Sequence, residues 1–448
     1  MDHIVKPGSK ANNSLWAENP SEINLKDTEL NNFVDVAIIG GGFSGLWSAY
    51  HLKKLSPSLS IAIFEARELG FGASGRNGGW ASSDYPVYKS TLYKRHGKER
   101  TDFLFASLNN SIDEIGEFAR QHAEKTGFVK SGTISFARNQ GQVQRLKALI
   151  DDDHHWLSSS EVRAKLNVDG ALGAIFNPKC ATVQPYELLI GLARELIKLG
   201  VKIYTNTWAS EAPNGVFANS HFVRADKVIR ATEVFSNPNR EFIPLYSLMV
   251  ATEPLSEAIW SQIGALERFT FSEASHLINY AQRTVDNRLA IGGRGATYPL
   301  GSTLKESKEM TSRVHKNLRA LARSWFPILK DVQFTHAWGG AVAITRDWEP
   351  YVLFNRESGR GRLGGYAGDG VTMSYLAAKT LAFELLEIEN PLRKLHFVNR
   401  PIRRWEIEPL RYLAINSLVK LSDIADLEER ITGRASLLSR VIEPLILR

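Results

Sequence analysis

Two kinds of apolar pattern alternate along the first folded stretch of the chain. V-D-V-A-I-I-G, ending at Gly40, is a short run rich in β-branched residues that stops at glycines, which predicts a strand buried on both faces. Leu46, Ala49, Tyr50, Leu52 and Leu55 then fall at helical spacing until Pro57, and I-A-I-F-E-A at 61–66 predicts the next buried strand. Strand, helix and strand in this order make a βαβ unit and so a parallel sheet. Residues 101–126 carry a strong helical period that Gly127 ends; a second helix over 186–199 leads through Gly200 to the strand V-K-I-Y-T, and A-D-K-V-I-R-A-T, ending at Thr232, is strand-like. Between about 239 and 332 the pattern changes to strand-like segments and then a charged helix over 305–325, as an inserted domain would. After it, G-R-L-G-G-Y-A-G-D-G-V-T and the apolar-spaced residues that follow restore the grammar of strand, glycine turn and helix.

These patterns divide the chain into a surface arm over 1–34, pinned by Trp16, Ile23 and Leu25; an α/β domain assembled from 35–90, 165–238 and 333–388; a second domain from 91–164 and 239–332; and a tail of helices over 389–448 joined by Pro401 and Pro409. Composition narrows the class. With 448 residues, 43% hydrophobic and 23% charged, the chain is a globular protein and neither collagenous, coiled-coil nor wholly disordered. The lone Cys180 excludes an internal disulfide and a cysteine-based zinc site. No apolar run is long enough for a membrane span and the N-terminus has no apolar signal core, so a cytoplasmic location is expected. The net charge of +7 is mostly spread among acidic residues; the exception, Arg393 to Arg404, reads as a solvated basic face, and no nucleic-acid partner is expected. The closing V-I-E-P-L-I-L-R is apolar enough to dock, on the chain's own α/β domain or on a partner.

Three glycine motifs carry the chemistry. In G-G-G-F-S-G, Gly40 permits a tight turn, Gly42 lets the backbone approach a pyrophosphate and Gly45 lets helix and strand pack closely, while the helix opening at Phe43 and Ser44 attracts negative charge. Glu65 follows at the end of the second strand, where a carboxylate accepts hydrogen bonds from ribose hydroxyls; Ala66 and Arg67 continue that edge. In G-F-G-A-S-G-R-N-G-G-W at 70–80, the small residues Gly72, Ala73, Gly78 and Gly79 fit a backbone drawn against a flat or charged ligand, and Ser74, Arg76 and Asn77 supply hydrogen bonds. Gly365, Gly368, Asp369, Gly370, Val371 and Thr372 frame a second helix N-terminus that could face a ligand oxygen. The adjacent histidines His154 and His155 fit an exposed helix start better than a metal site, and no metal ligand set is assigned.

Taken in this order, the motifs resemble the FAD-dependent D-amino-acid oxidase superfamily, which includes glycine and sarcosine oxidases, and the loop at 70–80 is most similar to its gamma-glutamylputrescine oxidoreductase branch. The resemblance spans about 35–388. It implies a Rossmann-like FAD-binding domain with an inserted antiparallel-sheet α+β substrate domain and a helical C-terminal tail. It also implies that Gly40, Gly42 and Gly45 hold the FAD pyrophosphate and Glu65 the adenosine ribose, that 72–79 lines the flavin, and that Ala209, with Thr232 at the end of the next strand, lies along the adenosine. By the same resemblance Gly365 to Thr372 meet the flavin oxygens and ribityl chain, and Gly339 and Gly340 lie near the ring. Where some relatives tether flavin through cysteine this chain has Gly340, and 70–80 contains no histidine, so FAD is expected to be noncovalent. An oxygen-activating lysine of sarcosine oxidases corresponds approximately to Ala290. Arg294 is left to stabilise reduced flavin, bind an anionic substrate or serve as an ordinary ion-pair partner.

The cofactor implies the reaction. Flavin N5 accepts a hydride from a small-molecule primary or secondary amine or amino acid, and the imine that forms hydrolyses to a carbonyl product. Aromatic walls suit a neutral amine by excluding water, and Trp80, Tyr280, Trp338 and Tyr366 are the candidates. Oxygen is the expected electron acceptor, with a quinone or carrier protein as the dehydrogenase alternative and an RNA-modifying flavoprotein as the more distant one.

Overall fold

A computed structural model describes residues 14–25, 29–236 and 240–439. The first sheet runs in the order Tyr351–Asn355, Arg360–Gly364, His221–Arg230, Phe33–Ile39, Ile61–Phe64 and Lys202–Tyr204, with the hairpin strands Ala209–Ala212 and Gly215–Ala218 attached to its long strand. Its centre is parallel: Ile38 is opposite Ile63 on one side and Ile229 on the other. The alternation explains why the run is apolar throughout, because Val36 and Ile38 enter the core under the helices while Ala37 and Ile39 enter the core under the hairpin. The covering helices are Phe43–Leu55, Lys98–His122, Pro185–Lys198 and Gly370–Leu385, and Trp47 packs edge-on against Phe118 and Tyr375 where three of them meet.

The second sheet also has eight strands, in the order Phe334–Thr345, Phe242–Thr252, Leu289–Gly293, Asn279–Arg283, Thr270–Glu273, Thr133–Ala137, Gly173–Asn177 and His155–Ser158. It is antiparallel except between Thr270–Glu273 and Thr133–Ala137. Helix Ser312–Trp325 closes one face over a core holding Phe136, Trp260, Phe269, Phe271, Trp325 and Phe326. The architecture is thus a Rossmann-like domain with an inserted α+β domain and a helical tail.

The elements divide between these two bodies differently from the expected ranges. Lys98–His122 lies inside the range assigned to the second domain, yet its face of Leu104, Leu108, Ile112, Ile115 and Phe118 packs in the core of helix Phe43–Leu55. Conversely, Gly173–Asn177 and Phe334–Thr345 were expected with the first domain and are strands of the second sheet, paired with Thr133–Ala137 and Phe242–Thr252. The helix over 305–325 is broken into Glu306–Glu309 and Ser312–Trp325, with nonhelical Met310 between them. His155 opens a strand rather than a helix, and His154 bonds Asp151 at 2.7 Å. In the tail, a 3₁₀ turn at Pro391–Lys394 and one long helix, Leu410–Thr432, are joined by an extended segment whose Trp405 packs beside Ile243, Tyr298 and Ile344. The V-I-E-P-L-I-L-R segment and residues 1–13 of the arm lie outside the described residues.

The arm docks through Trp16, which is 2% exposed, donates its indole N–H to the Asn77 carbonyl at 2.7 Å and meets Trp338 edge-on at 5.9 Å. Trp16→Ala is expected to cost about 3–5 kcal/mol, read as a lower Tm; a loss below about 1 kcal/mol would show that the arm is peripheral to stability.

Glu349 joins three segments, at 2.8 Å from Arg95, 2.9 Å from His96 and 3.1 Å from His396. Burial alone would raise its carboxyl, but hydrogen bonds from His396 and Arg95 and the charges beside them hold it at about 2. A carboxylate held below its unfolded value of about 4.3 adds stability that is complete above that pH and fades as pH falls toward the folded value. Glu349→Gln is therefore expected to flatten the acid limb of the Tm–pH profile, and an unchanged limb would assign acid lability elsewhere.

Candidate active site

A cavity of about 420 Å³ opens at the carboxyl ends of the first sheet's central strands. Ile39, Gly40, Gly42, Phe43 and Ser44 form its floor where helix Phe43–Leu55 begins. A Cβ on Gly45 would lie 2.0 Å from the Gly40 carbonyl oxygen, and one on Gly40, whose φ is +112°, would lie 2.7 Å from that of Ala231. Only glycine permits this approach, and it leaves the first amides of the helix facing the cavity. Glu65 braces the turn: Gly41 N–H donates to its Oε2 at 2.7 Å and Arg67 N–H to its Oε1 at 2.9 Å. Burial pushes the Glu65 carboxyl up, against the pull of these amides.

Glu65, Ala66, Arg67, Ala209 and Thr232 line this cavity, together with Gly72, Ala73, Ser74, Asn77, Tyr366, Gly368, Gly370 and Val371. Ser74 Oγ accepts from the Phe43 amide at 2.9 Å, so the 70–80 loop closes directly over the helix start. Tyr366 is consequently a wall of this cavity, bonded through its hydroxyl to Ser44 at 2.8 Å.

A second cavity of about 300 Å³ shares Ala73, Asn77, Val342, Gly368 and Val371 with the first. Trp80, Tyr280 and Arg294 line it, together with Arg76, Gly78, Gly340 and Asp369. Gly78 and Gly292 make room for the Tyr280 ring, since a Cβ on either would come within 2.5 Å of it. Arg294 donates to the Ala367 carbonyl at 2.6 Å and lies 5.4 Å from the centre of the Trp348 ring.

Several expected site residues line neither cavity. Trp338 is fully buried and donates its indole N–H to the Arg76 carbonyl at 3.0 Å, so it braces the loop and is not a substrate wall. Gly45 acts through the close approach already described. Gly79 leaves space for Gln282, Gly339 for the backbone of Glu309 and Gly365 for Thr345. Thr372 is buried with its hydroxyl unpartnered. Ala290 is buried in the interior of its strand, away from both cavities. Cys180 is buried too, and burial raises its thiol well above the usual range.

Glu233 is the principal residue that sequence reasoning missed. It follows Thr232 in the lining of the first cavity, accepts from the Gly365 and Tyr366 amides at 3.2 and 3.3 Å, and burial raises its carboxyl to about 7. The available signal was an acidic residue just beyond the third parallel strand. Trp208 and Phe235, which also line this cavity, carried no pattern at all. Two groups outside the cavities, His96–Glu349–His396 and His276–Asp426–Glu429, bring metal-type ligands together. In each, an arginine is paired with the glutamate, Arg95 with Glu349 and Arg145 with Glu429.

The residues fit FAD: a glycine cradle at a helix N-terminus for the diphosphate, a buried carboxylate for a ribose, and a loop of small residues leading to a second chamber. A family model described as FAD dependent oxidoreductase matches residues 35–384. The chain belongs to that family. The cofactor of this oxidoreductase is accordingly FAD. Across 79% of its length the oxidoreductase is 26% identical to a probable oxidoreductase, OrdL, of Haemophilus influenzae, covering 83% of that protein. It is 25% identical to the gamma-glutamylputrescine oxidoreductase of Escherichia coli over the same shares of the two chains, 79% and 83%. Glycine oxidase from Geobacillus kaustophilus has the same fold, with a TM-score of 0.69 over 83% of this chain and 100% of that one at 19% identity.

Glu65→Ala removes both the brace on Gly41 and the acceptor facing the cavity. FAD affinity of the apoprotein is expected to fall roughly 10–100-fold, from the worth of hydrogen bonds to a charged group. Flavin fluorescence titration measures this, and unchanged affinity would take Glu65 out of the binding site.

Proposed function

We propose that the oxidoreductase oxidises the C–N bond of a primary or secondary amine or amino acid held in the second cavity, with oxygen as acceptor. The observation that carries this reading is the adjoining of the two cavities through Ala73, Asn77, Gly368 and Val371, which puts an aromatic-lined chamber against the end of the cofactor cavity. Bound FAD supplies a two-electron acceptor for the hydride of the carbon that carries the nitrogen. Trp80 and Tyr280 exclude water and favour the neutral amine, whose nitrogen lone pair drives hydride loss and whose N–H proton then leaves to give the imine. Water adds to the imine to release a carbonyl product and an amine or ammonia. The names of the relatives, which include gamma-glutamylputrescine oxidoreductase and sarcosine oxidase subunit beta, support amine chemistry.

Noncovalent attachment is supported by the lining of both cavities, which holds neither cysteine nor histidine. Arg294 is the cation we assign to the oxygen half of the reaction, since Ala290 offers none. The basic stretch gives no support to RNA chemistry: Arg393 is paired with Glu384 at 2.7 Å and Arg400 with Asp347 at 2.7 Å. Among the described residues no helix is long and apolar enough to cross a membrane.

Anaerobic mixing with polyamines, N-methyl amino acids, glycine and aminophosphonates is expected to bleach the flavin with at least one amine, and air to restore the colour within seconds. A flavin that no amine bleaches would overturn amine oxidation, and colour that returns only with a quinone would make the protein a dehydrogenase. Arg294→Gln is expected to slow the return of colour by about tenfold or more.

A further inference from the structure

The part of the second cavity that is not shared with the first has a different chemistry from its aromatic walls. Ser82, Asp84, Ser135 and Ser272 line it, and none of them reaches the first cavity. Ser135 and Ser272 bond one another at 2.9 Å. Asp84 stands two residues beyond the strand Trp80–Ser82, which pairing with Cys180–Thr182 holds in place. The Ser82 hydroxyl donates to its carboxylate, and burial pushes that carboxyl up.

Among the described residues, no lysine, arginine or histidine forms an ion pair with Asp84. His154, the histidine that acts on it through charge, is engaged by Asp151 at 2.7 Å, and Lys179, whose carbonyl accepts from the Ser83 amide at 3.2 Å, is paired with Asp153 at 2.5 Å. Asp84 is half-buried where it lines the cavity, and a carboxylate largely withdrawn from water without a cation is costly, so such groups in native proteins are ordinarily paired. Here the missing partner can enter through the cavity. Tyr85 and Tyr88 line the same chamber, and aromatic faces attract an ammonium that has left water.

We propose that Asp84 is a specificity residue that holds a second, non-reacting ammonium group of the substrate, making the enzyme selective for diamines, polyamines and other amines with a distal cation. The proposal rests on the amine-oxidising reading above. The two nitrogens then have opposite requirements: the reacting one is neutral beside the cofactor cavity, and the distal one stays charged against Asp84. A cavity with aromatic walls and a carboxylate in its unshared part sorts them by position.

The test compares 1,4-diaminobutane with 1-aminobutane on the holoenzyme, following anaerobic flavin bleaching and, separately, the shift of the oxidised flavin spectrum on binding. The wild-type enzyme is expected to half-saturate with the diamine at a concentration roughly 30-fold or more below that of the monoamine, the size of effect seen for truncated buried charge pairs. Asp84→Asn is expected to collapse that ratio toward one. Equal half-saturation of the wild type by the two amines would overturn the proposal without any variant, and so would equal losses for both amines in Asp84→Asn, the pattern of a base for the reacting nitrogen. A diamine that shifts the spectrum in an Asp84-dependent way without bleaching upholds the role of Asp84 and removes the amine-oxidising reading. Neither shift nor bleaching removes both.

Discussion

The Arg76 guanidinium is the charge across which the two sheets are joined. Its Nη1 reaches Glu309 at 2.6 Å and the Gly339 carbonyl at 3.2 Å, its plane lies 4.7 Å from the centre of the Phe71 ring, and its own carbonyl accepts from Trp338. The side chain is 6% exposed, so the pair with Glu309 has lost most of its water, and removing one partner of such a pair costs about 3–5 kcal/mol. The glycine loop at 70–80 belongs to the first domain in sequence, and Arg76 fastens it to an edge strand and a short helix of the second. Both cavities depend on that attachment, because the loop forms a wall of each.

From this follows the division of labour within the site. The floor of the cofactor cavity is built from backbone approach: the glycine turn, a helix start, and a carboxylate that holds the turn. It needs small residues in fixed order and tolerates little else. The second cavity is built from side chains contributed by the 76–88 stretch, the second sheet and the final glycine turn. The selectivity proposed above rests on Asp84, a half-buried carboxylate that no described cation pairs with.

Local sequence was informative wherever a function needs a backbone shape. The strand, helix and strand from 33 to 64, the glycine motifs and Glu65 were readable because periodicity and glycine placement follow from chain geometry alone. Trp80, Tyr280 and Arg294 were found through position within the motifs, and they line the second cavity. Trp338 looked equivalent to them in sequence, and its indole instead points into the joint beside Arg76. Glu233, Trp208 and Phe235 had no periodic signature, since each lines the cofactor cavity from a connection between strands and not from within one.

By itself the sequence determined the class of fold and the cofactor, because the strand and helix periods and the glycine turns that carry the family resemblance are each set by residues close along the chain. The tertiary structure alone decided that Lys98–His122 covers the first sheet, that Phe334–Thr345 belongs to the second, and that Asp84 lines the second cavity with no ion-pair partner among the described residues. Each of these depends on contacts between segments tens to hundreds of residues apart, where an amphipathic face or a lone carboxylate has several possible partners and packing selects one.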